Sequence, residues 1–276
     1  LNYAIIFSVE NKQGADVEIG ADGSSGYEKM AIGLAYTIRL QMPEVDVYCG
    51  SFTNNQLSNE AQKHFNNLNV KIISTNDFLN LGKDDSYMFL RTYTKDFFAK
   101  KILKNYDFLL YVDVDTVFLN PVNFNFDPTE KIILTETMPN WVKNYHKEFL
   151  QGFHGNLYYN WVDIINHHNS HIFDFNWNED EIKLHHMADR LVSERIAKSN
   201  LTKIEQNFGG YHFIKELNKD SIIYHYDSFD SSGSLYNLKK YHSLNYRKYL
   251  FIFEKILDVK INNQENYWEN LSLEFM

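Results

Sequence analysis

Two carboxylates one residue apart, Asp113 and Asp115, follow directly on the apolar run Phe108-Leu109-Leu110-Tyr111-Val112. Carboxylates at the mouth of a hydrophobic strand are costly unless a cation or hydrogen-bond donors meet them. Alternate residues of an extended segment share a face, so both could face one ion. Hard oxygen ligands suit Mg²⁺ or Mn²⁺, with the remaining positions left to water and substrate phosphate. A bare Asp-x-Asp is common by chance, and a solvated strand end is the plain alternative. The context favours a metal site: the pair follows an unbroken apolar run, the β-favouring Thr116-Val117-Phe118 comes next, and Asn120-Pro121 closes the segment.

The segments that must position this pair alternate between short apolar runs and amphipathic stretches. Residues 3–7 read as a buried strand, and the glycine-bearing 10–25 as a long loop. Ser25 and Glu28 have capping-box spacing, and Ala31, Leu34, Ala35 and Ile38 then recur at helical intervals until Pro43. Residues 45–48 and 70–73 read as two further strands. Between 84 and 103 the pattern is helical, with Tyr87, Leu90, Phe97, Phe98 and Ile102 inward. Residues 108–112 never alternate, so that strand is expected to be covered on both faces. The succession predicts an α/β fold with a mostly parallel sheet flanked by helices. In such sheets ligands sit beyond the carboxyl ends of the strands, where strand order reverses. After about residue 150 the pattern becomes irregular and rich in aromatics and histidine. No repeat or linker divides the chain, so a single domain over 1–276 with an irregular C-terminal half is expected.

Composition narrows the function classes. A formal net charge of −9 argues against a nucleic-acid surface. An acidic protein that handles a phosphorylated ligand needs local positive charge, which a divalent metal supplies compactly. The single cysteine, Cys49, excludes an internal disulfide and any multi-cysteine metal site, in keeping with a reducing, cytoplasmic setting. No apolar run approaches the ~20 residues of a membrane span, and no signal-peptide pattern is visible. The basic, aromatic stretch 238–257 fits either peripheral contact with an anionic membrane surface or a helix packed on the domain. The histidine clusters at 167–171 and 185–186 lack partners at ligand spacing and read as polar surface.

The stretch 87–118, with Arg91 early in its helix and Asp113-Val114-Asp115 at its strand end, resembles the retaining GT-A glycosyltransferases of the glycogenin and bacterial galactosyltransferase type. The similarity extends over roughly 3–230. It implies that Asp113 and Asp115 hold Mn²⁺ (or Mg²⁺) against the diphosphate of a UDP-sugar and that Arg91 contacts the donor. It places Phe7, Ser8 and Val9 beside the uracil. Glu205-Gln206-Asn207 resembles the family's acidic-Gln pair at the floor of the donor-sugar site, which makes Gln206 and Glu205 the candidate catalytic residues. The alternative for that segment is a polar helix start after 199–202. His225, closing the apolar run 221–224, occupies the setting of the family's third metal ligand. By the same resemblance, 1–120 would bind the nucleotide, 121–236 the donor sugar and a glycan or glycoconjugate acceptor, and 237–276 would form a helical extension.

Departures accompany the likeness. The family's glycine and lysine after this histidine are replaced by Ser228 and Ser231, and Asn160-Trp161-Val162-Asp163 lacks a family glycine. If the enzyme inverts instead of retaining, Glu136 and Glu205 are the candidate bases. Two rivals remain in view. A haloacid-dehalogenase-type phosphatase would use Asp113 as nucleophile and Asp115 as acid/base. A non-catalytic sugar-binding module would explain the 16% aromatic content but leave the acidic pair without a role.

Overall fold

A computed structural model describes residues 1–9, 26–51, 57–74, 87–137, 158–159, 162–175, 188–205, 209–211, 221–226, 247–249 and 251–257. Its main sheet is built from β1 (Tyr3–Ser8), β2 (Asp46–Ser51), β3 (Val70–Ser74), β4 (Phe108–Val112) and β8 (Val162–Asn166), in the order β3-β2-β1-β4-β8. β1, β2, β3 and β4 run parallel, and β8 closes the far edge antiparallel to β4. The chain moves outward from β1 through β2 to β3, then returns to lay β4 on the other side of β1. Strand order therefore reverses between β1 and β4.

Helices α1 (Gly26–Gln41) and α2 (Asn59–Asn67) cover one face, and α3 (Tyr87–Lys101) and α4 (Ala188–Lys198) the other. Alternation along β1 divides its residues between two cores. Ile5, Phe7 and Val9 pack with Met30, Leu34, Ala61 and Phe65, whereas Ala4 and Ile6 pack with Phe98, Phe173, Val192 and Ile196. Every residue of β4 is buried, as its unbroken apolar run requires. Strands β5 (Thr116–Phe118), β10 (Gly209–Tyr211) and β11 (Ile223–His225) form a second sheet in the order β10-β11-β5. A third has the order β7-β6-β9, from β6 (Ile132–Thr137), β7 (Tyr158–Tyr159) and β9 (Thr202–Glu205).

Polar side chains tie these pieces together where the sequence gives little warning. Asn169 Nδ2 donates to Ile132 O on β6 and to Ile164 O on β8, binding the third sheet to the first. Asn166 Nδ2 reaches Pro128 O and Glu130 O in the same seam. Ser58 caps α2 by accepting from Ala61 N, while its own N–H donates to Glu28 Oε1 at 2.7 Å. Glu28 thus joins α1 to the start of α2; Ser25, its expected capping-box partner, lies outside the described residues.

Arg39 acts as a staple. It donates to the carbonyls of Leu68 (2.6 Å), Val45 (2.6 Å), Asn69 (3.1 Å) and Pro43 (3.2 Å). These lie in the turns before β2 and β3, and Asn69 holds φ 52° in the left-handed region that asparagine tolerates. Arg39→Ala is expected to cost about 2 kcal/mol in urea denaturation, with Arg39→Lys recovering only part, because an ammonium cannot fan out over several carbonyls. Equal stability of the alanine variant would mean that water replaces these bonds without loss.

Several expected boundaries shift. The second strand runs to Ser51, and the helix expected to Leu103 ends at Lys101, giving way to a 3₁₀ turn at Leu103–Asn105. Residues 202–205 form a strand parallel to β6, not a helix start. In the basic, aromatic stretch near the C-terminus, Phe251–Ile256 forms a π-helical turn whose Ile252 and Phe253 are buried. The Phe253 ring lies where a Cβ on Gly33 would stand, 2.2 Å from its Cζ, so α1 needs glycine there. This is the packed-helix alternative for the described part of 238–257, although Phe251 remains 59% exposed. No helix among the described residues is long and apolar enough to cross a membrane.

Candidate metal centre

The acidic pair stands at the reversal point between β1 and β4. β4 ends at Val112, so Asp113, Val114 and Asp115 form a turn instead of continuing the strand. The expectation that an extended segment aims both carboxylates is thereby corrected: the turn does it. Thr116 Oγ1 donates to Asp113 O at 2.6 Å, and Tyr226 N donates to Asp115 O at 2.9 Å, which pins the turn from both ends. β5 then pairs antiparallel with β11, setting His225 opposite Thr116. One ligand atom each from Asp113, Asp115 and His225 falls within 4.8 Å of the others.

The environment of this trio is suited to a cation. Asp113 is 2% exposed and His225 fully buried, while the Asp115 side chain retains 19% exposure, the most open of the three. Asp113 Oδ2 accepts from Arg91 Nη1 at 3.2 Å. Asp113 Oδ1 and Asp115 Oδ1 are buried and accept no hydrogen bond among the described residues. His225 Nε2 approaches Asp115 Oδ1 at 3.0 Å without the alignment of a hydrogen bond. Burial pushes the Asp113 carboxyl up to about 6, the Arg91 charge opposing this and the Asp115 charge adding to it. A divalent ion would offset that desolvation, and two carboxylates with one imidazole form a donor set that fits Mn²⁺ or Mg²⁺.

A second charged pair lies one helical turn along α3. Lys95 Nζ donates to Asp163 Oδ2 at 2.5 Å, with both side chains buried, and stands 4.3 Å from the centroid of the Tyr111 ring. The Tyr111 hydroxyl bonds Ser8 Oγ at 3.2 Å across the β1–β4 junction. Gly50 allows α3 this close to the sheet, since a Cβ there would stand 2.8 Å from the Thr94 side chain. Among the described residues, two cations, Arg91 and Lys95, thus face three carboxylates, Asp113, Asp115 and Asp163, before any ion is added.

Not every expected residue joins this cluster. Arg91, Asp113, Asp115 and His225 meet, and Ser8 reaches the same region through Tyr111. Phe7 and Val9 are buried at the end of β1; the Phe7 ring packs against Phe65 in the core, with 5.9 Å between centroids. Glu205 ends β9, opposite Thr135 of β6, and Glu136 pairs with Tyr159. Gln206 and residues 228–240 lie outside the described residues. Sequence reasoning missed Lys95, Tyr111 and Asp163. The signals were present: a cation four residues after Arg91 on a helix face taken as apolar, and one carboxylate inside the apolar run 162–165.

No family profile matches the sequence, and no curated protein is significantly similar to it. Solved structures are. The galactosyltransferase LgtC in complex with donor and acceptor sugar analogues superposes with a TM-score of 0.56 at 13% identity, over 95% of this chain and 98% of LgtC. An active-site glutamine-to-glutamate mutant of LgtC gives 0.57 at 11% identity, over 91% and 95%. The chain has the GT-A fold. In this GT-A frame the trio occupies the crevice that strand order creates at the carboxyl ends of β1 and β4.

Proposed function

We propose that the chain is a metal-dependent glycosyltransferase that moves a hexose from a nucleotide diphosphate, favoured as a UDP-sugar, to a hydroxyl of a glycan or glycoconjugate. The observation that carries this reading is the convergence of Asp113, Asp115 and His225 at the reversal point of a GT-A fold. A divalent cation held by these three would supply Lewis-acid stabilisation of the charge that grows on the departing diphosphate. Arg91 fixes one oxygen of Asp113 and leaves the other directed at the site, which keeps the ligand geometry from relaxing. Ser8 and the backbone at the end of β1 would border the nucleoside, with the sugar lying toward 121–236. Gln206 and Glu205 would contact the sugar, and their proposed role draws support from LgtC, where a glutamine mutant is described as an active-site mutant. Retention is part of the same proposal, as the sequence resemblance implies.

The rivals fit less well. A phosphatase nucleophile must reach an exposed phosphoryl group, yet Asp113 is 2% exposed and held by Arg91. A sugar-binding module would present aromatic platforms, but among the described residues Phe251 is the one large aromatic prominent at the surface. The deciding experiment measures nucleotide release from a panel of UDP- and GDP-sugars with and without Mn²⁺. Metal-dependent hydrolysis of one donor is expected. Phosphate release from simple phosphomonoesters, with silence on every nucleotide sugar, would move the assignment to the phosphatase.

A further inference from the structure

His225 and the turn that carries Asp115 are supported from a part of the chain that the reaction proposed above does not use. β5 is the outer strand of the β10-β11-β5 sheet, and an edge strand leaves backbone groups that need partners. At Phe118 these partners come from outside the sheet. Its N–H donates to Thr37 Oγ1 of α1 at 3.1 Å, and its carbonyl accepts from the hydroxyl of Tyr249, in the C-terminal segment. The neighbouring strand is held just past its end, at Tyr226, the residue after His225. The Tyr226 N–H donates to Asp115 O, and its fully buried ring meets the Phe253 ring edge to face, with 6.1 Å between centroids. Phe253 in turn sits against Gly33, where α1 carries no Cβ. The π-helical winding of Phe251–Ile256, followed by Leu257 N donating to Ile252 O at 3.0 Å, buries Ile252 and Phe253 together.

We propose that Tyr249 and Phe253 form a clasp by which the C-terminal segment positions Asp115 and His225 for the metal. These two ligands come from segments far apart in the chain. An ion that bridges them is held only as firmly as β5 and β11 are held to each other and to α1. Tyr249 fixes β5 at Phe118, shortly after the Asp115 turn. Phe253 fixes Tyr226, which is next to His225 and bonded to the Asp115 backbone. Setting the ligands in place before the ion arrives removes an ordering cost that binding would otherwise carry. Both residues act through others, Tyr249 through Phe118 and Phe253 through Tyr226, and are positioning residues. The plain alternative is core packing, in which the same contacts add stability and leave metal affinity untouched.

This inference rests on the metal reading of the Asp113–Asp115–His225 site, and its test reads metal binding without turnover. Phe253→Leu keeps an apolar side chain but removes the ring that meets Tyr226. Phe65→Leu is the matched control, a fully buried phenylalanine of α2 that packs against Phe7 instead. Mn²⁺ affinity would be measured by electron paramagnetic resonance beside a urea denaturation curve, under conditions in which each protein is folded. Both variants are expected to lose stability. Mn²⁺ affinity should fall about tenfold in Phe253→Leu alone, the scale on which residues behind metal ligands act. Unchanged affinity in Phe253→Leu, or an equal fall in Phe65→Leu, would overturn the proposal. Should Phe253→Leu not fold, Tyr249→Phe decides the same point, because it removes only the hydroxyl that meets Phe118 O. A lowered affinity then supports the clasp, and an unchanged affinity ends it. Wild-type protein that binds no Mn²⁺ would remove the metal reading and this inference together, whereas equal binding by wild type and variants removes only the clasp.

Discussion

Asp115→Ala is expected to abolish Mn²⁺ binding and to lower kcat by roughly a hundred- to ten-thousand-fold, the range that several kcal/mol of lost charge stabilisation implies. Asp115 is the most exposed of the three ligands, and its Oδ1 lies in the converging set. Its backbone oxygen is already held by Tyr226 N, so removal of the side chain should leave the turn intact. The metal-free variant should also be at least as stable as wild type. The Asp115 charge raises the Asp113 carboxyl, and deleting it relieves that repulsion. What should vanish is the rise in Tm that Mn²⁺ gives the wild type by mass action. Thermal unfolding with and without Mn²⁺, beside donor hydrolysis, reads both effects. An Asp115→Ala protein that retains its Mn²⁺-dependent Tm shift would show that the ion binds elsewhere.

Arg91→Leu should give the largest loss of stability. It strands a carboxylate that is 2% exposed, and removing one partner of a buried pair costs about 3–5 kcal/mol. The loss should depend on pH in a defined direction. The Asp113 carboxyl is raised to about 6 in the folded protein even though the Arg91 charge lowers it, so without Arg91 it rises further. A carboxyl whose folded value lies above its unfolded value binds more protons when folded. Its contribution is therefore most favourable at low pH and declines as pH rises through the folded value. Metal-free Arg91→Leu should lie close to wild type near pH 5 and fall away toward pH 8, and Mn²⁺ should restore part of the difference. Urea denaturation at the two pH values tests this. A loss of equal size at both would mean that Arg91 contributes packing alone, and that Asp113 does not depend on it for charge.

The contrast between these variants follows from how each residue could be recognised. Asp113 and Asp115 were legible because two carboxylates ending an apolar run have few low-cost explanations. His225 was legible only with a family likeness, since a histidine after a short apolar run is otherwise ordinary among 11. Arg91 bonds Asp113, a pairing across 22 residues that helix periodicity alone does not reveal. Lys95 and Asp163 are illegible within their own elements, where a lysine on a helix and an aspartate in a strand carry no signal. Their pairing appears only when α3 is laid over β4 and β8.

The residues by themselves determined the succession of strands and helices, the burial of β4 on both faces, and the acidic pair at its end. Those features depend on periodicity and on the cost of burying charge, which are local and can be read along the chain. Only the tertiary structure decided that a turn aims the two carboxylates, that β5–β11 pairing delivers His225 to them from 110 residues further on, and that α3 sets its two cations against carboxylates of neighbouring strands. Those arrangements depend on strand order and on the close approach that Gly50 permits between α3 and the sheet. Contacts between residues far apart in sequence arise from how elements pack, and no single segment records them.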